Sequence, residues 1–135
     1  MPGFYTAEQY YIILKSLFTR LETEAPTSSQ KVSQSKLIMR MRTTQPTTEV
    51  TINGRHNPVQ ISYGPSPVRP DIELELPAEL LHQILLGQIN LKAAVGTGKF
   101  KFRGPVWKAF VMEDIFRAGQ GIYPEVLQAH GVPPS

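Results

Sequence analysis

Apolar side chains recur at three- and four-residue spacing near the start of the chain, at Tyr10, Ile13, Leu14, Phe18 and Leu21 with Leu17 between them. That period predicts a helix with one buried face. Thr6 and Gln9 fit a capping box at its start, and Tyr5 with Tyr10 fits a hydrophobic staple. The polar run Ala25-Pro26-Thr27-Ser28-Ser29 is expected to end it. The period then changes to two. Leu37, Met39 and Met41, then Val50 and Ile52, then Val59, Ile61 and Tyr63 alternate with polar residues, predicting three strands with one face toward a core and one toward water. Asn53-Gly54 supplies a turn between the second and third, since both residue types tolerate positive φ.

Gly64, Pro65, Pro67 and Pro70 form a stiff segment that cannot join a sheet interior, so it reads as a crossover connection. A fourth strand spans 71–76, with Ile72, Leu74 and Leu76 inward and Glu73 and Glu75 outward. A helix over about 77–86 follows, with proline in its first turn and Gly87 as its C-terminal cap. The pattern ends with a helical turn at 91–95, a fifth strand at 99–103 with Phe100 and Phe102 inward, a helix opened by Pro105 and closed by Gly119, and a short helix from Pro124 to before Gly131.

The length, 135 residues, suits a single domain over 1–135 that buries enough surface to fold alone. The absence of cysteine excludes a disulfide framework, a zinc-thiolate site and thiol catalysis, and points to a reducing, cytoplasmic compartment. The formal charge of +3 is mild and its basic residues are spread out, so nucleic acid is not an expected partner. Neither a signal peptide nor a membrane-spanning segment is read, and the C-terminus lacks the Ser-Lys-Leu peroxisomal ending.

Candidate chemistry is scattered. None of His56, His82 and His130 lies three or four residues from another histidine, and His82 reads as a helix-surface or pocket-rim residue. Asp71, Glu73 and Glu75 alternate on a strand and read as solvated carboxylates rather than an acid-base pair. GTGK at 96–99 fails as a phosphate-binding loop, because Ala93 stands where the earlier glycine is required and Phe100 where the hydroxyl residue is. No catalytic residue, metal or cofactor is expected. The helix after Pro105 is different: Val106, Trp107, Ala109, Phe110, Val111, Met112, Ile115 and Phe116 leave little room for a polar face. Such a helix is either sandwiched in the core or shared between the core and an apolar cavity or partner. Met39, Met41 and Met112 suit an adaptable lining or ordinary core.

The run DIELELPAELLHQILLGQINLKAAVGTGKFKFRG, residues 71–104, resembles the sterol carrier protein family, in which an Asp-led strand, a helix ending Leu-Leu-x-Gly and a Gly-Lys-x-Lys-x-x-Gly strand follow in that order. The resemblance covers roughly 71–127. It implies an α+β fold: a five-stranded, mainly antiparallel sheet of order 3-2-1-4-5, covered on one face by helices, with an apolar ligand tunnel between the layers. In that order Glu73 and Glu75 would lie between Arg40 and Arg42 on one side and Lys99 and Lys101 on the other, an arrangement of opposite charges that stabilises neighbouring strands.

On this reading the chain is a non-catalytic binder and carrier of a hydrophobic small molecule: a sterol, fatty acid or acyl-CoA. Leu81, Ile84, Leu85, Phe100, Phe102, Trp107, Phe110, Val111 and Ile115 are the expected ligand-binding residues, with Gln88, Arg117 and Gln120 at the rim. The last helix, set off by Gly119-Gln120-Gly121, is placed over the tunnel mouth. Transient membrane contact and a homodimer are both compatible with it. The alternative is a protein-interaction or dimerisation module, or an accessory domain of a lipid-metabolising system, whose cavity has collapsed into core.

Overall fold

A computed structural model describes residues 6–56, 58–105, 108 and 110–132, the side chains of Ser29 and Phe110 excepted. The first helix, α1, runs Ala7–Glu24. Thr6 Oγ1 accepts from the Gln9 amide at 3.1 Å and the Gln9 side chain accepts from the Thr6 amide at 3.3 Å, so the predicted capping box forms. Tyr5, the other half of the expected staple, lies outside the described residues. Tyr10, Ile13, Leu14, Leu17, Phe18 and Leu21 are buried, as their spacing requires.

The polar run ends this helix as expected, Ala25 capping it with its amide donating to the Leu21 carbonyl at 2.9 Å, and it also starts a second helix that was not expected, α2, over Pro26–Ser35. Pro26 sits in its first turn, where a missing amide donor costs nothing. Val32 is its one buried residue among those described.

The sheet comprises β1 (Ile38–Thr44), β2 (Thr48–Asn53), β3 (Gln60–Tyr63), β4 (Ile72–Pro77) and β5 (Lys101–Arg103), in the order β3-β2-β1-β4-β5. Three pairings are antiparallel and the central one, β1 with β4, is parallel. The sheet is therefore mixed, because the chain crosses from the edge strand β3 to the far side of β1 before β4 begins. Register brings Met39, Ile52, Ile61 and Ile72 into one apolar row and Met41, Val50, Tyr63, Leu74 and Phe102 into the next.

Opposite charges alternate on the other face. Arg40 pairs with Glu73 and Arg42 with Glu75 across β1 and β4, while Glu73 meets Arg103 and Glu75 meets Lys101 across β4 and β5. Lys99 was expected in this ladder. Strand β5 starts only at Lys101, and its antiparallel register puts Arg103 in the place expected for Lys99.

The crossover explains a departure from the expected solvated face. Its carbonyls at Ser66 (3.1 Å) and Val68 accept from Arg40 Nη2, and the Ser66 amide donates to Glu49 at 3.2 Å. Arg40 is thereby covered and only 6% exposed. Asp71 has a structural task as well, since its carboxylate accepts from the Ile38 amide at 2.9 Å and from Arg55 at 3.1 Å, closing the start of β1 against β4. Gly54 does not adopt a positive φ. A Cβ there would stand 2.5 Å from the Val32 carbonyl oxygen and 2.6 Å from that of Leu37, so the close approach of backbone, rather than turn conformation, demands glycine.

After β4 come α3 (Ala78–Leu85), α4 (Leu91–Gly96), α5 (Phe110–Gln120) and α6 (Tyr123–Ala129). Helices α1 and α3 lie over the apolar rows with α5 packed on both, and α2 and α6 pack on α1 and α5. Val111, Met112, Ile115 and Phe116 of α5 are buried while Glu113 and Arg117 are exposed, so its described part has a polar face that the sequence reading had not expected.

Candidate functional site

The inner face of the sheet and the undersides of α1, α3 and α5 enclose apolar space. As far as the described residues bound it, this space forms two small cavities rather than one open tunnel. The inner one, about 10 Å³, is lined by Leu14, Leu17, Phe18 and Leu21 of α1, Met39, Met41 and Ile52 of the sheet, Leu81 and Leu85 of α3, and Met112, Ile115 and Phe116 of α5. The outer one, about 40 Å³, lies beneath α2, where Ser28 and Val32 join Glu22, Val59 just ahead of β3, and the β3 residue Ile61. Phe18, Leu21, Ile52 and Ile115 line both, so the two form one seam from the surface at Glu22 to the middle of the core. Each holds only about one to a few water-sized spheres.

Of the residues expected to bind a ligand, Leu81, Leu85 and Ile115 line the inner cavity. Ile84, Phe100 and Val111 are buried and Phe102 is half-buried, but none of these four lines either cavity. Trp107 and the Phe110 side chain lie outside the described residues, as do Val106 and Ala109. Among the expected rim residues, Gln88 and Arg117 are exposed, Arg117 donating to Glu113 at 2.9 Å. Gln120 donates to the Ile84 carbonyl at 3.0 Å and so ties α5 to α3. At the cavity mouth stand Glu22 and Ser28 instead.

The sequence reading missed the contribution of α1. Its apolar set includes Leu17 and Phe18 side by side, wider than a narrow stripe, and this was the available signal.

The helix expected over the mouth, α6, is firmly docked. Tyr123, Val126 and Leu127 are buried, and Glu125 accepts from Arg20 of α1 at 3.1 Å. Tyr123 Oη lies 2.8 Å from Nδ1 of His82, which is 2% exposed and not the surface residue its sequence context suggested. Burial raises the Tyr10 and Tyr123 hydroxyls well above their ordinary range, so both stay neutral. These buried polar groups join α1, α3 and α6. Among the described residues no three His, Asp or Glu side chains form a group that could hold a metal ion, and no helix is long and apolar enough to cross a membrane.

Comparison with known proteins agrees with this architecture. The model of the SCP-2 sterol transfer family matches residues 16–117. The apo form of sterol carrier protein 2 from Yarrowia lipolytica has a TM-score of 0.62 at 21% identity, over 84% of this chain and 91% of that one. Sterol carrier protein domain 2 of Helicoverpa armigera gives 0.63 at 22%, over 79% and 84%. The sec-alkylsulfatase Pisa1 from a Pseudomonas species gives 0.53 at 16%, over 67% of this chain but 14% of its own. At such identities these structures share the fold. No curated protein matches the sequence.

Proposed function

Since this chain belongs to the SCP-2 sterol transfer family, we propose that it binds one apolar lipid in the seam between sheet and helices and carries it through water without altering it. The observation that carries this reading is the pair of adjoining apolar cavities, walled by α1, α2, α3 and α5 and the inner sheet face and reaching the surface at Glu22. A lipid there gains about 0.8 kcal/mol for each methylene withdrawn from water. The present volume is far below the roughly 300 Å³ at which small-molecule sites begin. Binding therefore requires the layer to open. Met39, Met41 and Met112 suit that need, because an unbranched thioether re-packs around an irregular guest at little cost.

The nearly filled seam also favours a second reading, a protein-interaction or accessory domain with no lipid. Vesicle transfer separates the two. Donor vesicles carrying a self-quenching fluorescent lipid are mixed with unlabelled acceptors; the carrier reading expects the protein to raise the transfer rate in proportion to its concentration. A rate equal to that without protein supports the interaction reading and overturns the carrier.

A further inference from the structure

We propose that Glu22 sets the head-group preference of this site, favouring an uncharged, hydroxyl-bearing lipid over one that ends in a carboxylate. The inference rests on the lipid-binding reading above. A lipid enters such a seam tail first, because an ionised head group loses its hydration if buried. The head must then lie at the mouth, among the polar residues that line the outer cavity.

Those residues are Glu22 and Ser28, and no cation lines either cavity. Glu22 is exposed and, among the described residues, has no ion pair or hydrogen bond to neutralise it. Nearby cations are engaged elsewhere: Arg20 with Glu24 and Glu125, and Lys31 with Asp114 at 3.4 Å across the neighbouring α2–α5 groove. The field of Glu22 reaches Tyr63 of β3, whose hydroxyl is pushed up to about 12 by burial and then by that charge. Tyr63 thus remains a neutral hydroxyl.

Such a mouth carries one negative charge and the Ser28 hydroxyl at the rim of an otherwise apolar cavity. A ligand hydroxyl can donate to the Glu22 carboxylate and accept from Ser28, while a ligand carboxylate meets a like charge with no cation to offset it. Water and salt screen an exposed pair, so the discrimination expected is about five- to tenfold rather than absolute.

The test displaces a nitrobenzoxadiazole-labelled fatty alcohol with 1-hexadecanol or hexadecanoic acid at low salt, comparing wild type with Glu22→Gln. The wild-type protein is expected to favour the alcohol, and the variant to shrink the alcohol-to-acid affinity ratio about fivefold through tighter binding of the acid. An unchanged ratio in the variant, with both ligands still binding, overturns the selectivity and leaves the carrier reading intact. Failure of the labelled alcohol to bind at all overturns the carrier reading, and the selectivity with it.

Discussion

Arg40 lies on the polar side of the sheet, yet it is surrounded by carboxylates at 3.6 Å (Glu49) and 3.8 Å (Glu73), by the Thr51 hydroxyl at 3.3 Å, and by carbonyls of the crossover. Its planar guanidinium can satisfy several acceptors at once, which a lysine ammonium cannot do in the same geometry. Arg40→Ala is expected to cost about 3 kcal/mol in urea denaturation, with Arg40→Lys recovering only part, because a covered cluster loses its cation while Glu49 and Glu73 stay in place. A loss under 1 kcal/mol would show that the cluster contributes little. Alternation in the sequence placed Arg40 on the correct face, since side-chain direction along a strand is a local property. Its burial was not legible, because the segment that covers it arrives from 66–68, beyond any local pattern. His82 was misread for a related reason: its partner Tyr123 is brought in by tertiary packing from another helix.

Two helices compete for the role of a movable cover. The sequence pointed to α6, whose flanking glycines suggest a hinge, but burial of Tyr123, Val126 and Leu127 holds it in place. Helix α2 packs on α1 and α5 but is anchored by fewer side chains: one buried residue, Val32, the ion pair of exposed Lys31 with partly buried Asp114, and a 3.4 Å bond from Ser33 to the His56 carbonyl. Exposed ion pairs contribute at most about 1 kcal/mol. Amides of 31–35 in α2 should therefore exchange with deuterium at least about a hundredfold faster than those of Leu14 and Leu17 in α1, and slow when a lipid is bound. Equal protection of the two helices would rule out α2 as the cover. This element escaped the sequence reading because PTSSQKVSQS offers neither an apolar period nor a strong helix former at most positions. Packing of Val32 over Gly54 supplies what propensity does not.

At the scale of the molecule, the strands were legible because period-two alternation marks them and the proline-rich crossover separates the third from the fourth, while their order came only from the family resemblance carried by the Asp71-led motif. The ladder of Arg40, Arg42, Glu73, Glu75 and Lys101 makes that order electrostatically consistent. Cavity shape was not legible. Whether Phe18, Leu21, Met112 and Phe116 fill the space beneath the helices depends on side-chain conformations and on how closely the layers approach, which residue type alone leaves open. Carriage requires a lipid to enter between those layers, and the methionines report on that directly. Three of the chain's four line the inner cavity, namely Met39, Met41 and Met112, while Met1 lies at the terminus. With the methionine methyls carbon-13 labelled, titration with 1-hexadecanol is predicted to shift the signals of Met39, Met41 and Met112 together, saturating at one equivalent, and to leave Met1 in place. Three unmoved core methyl signals in the presence of excess lipid would contradict it.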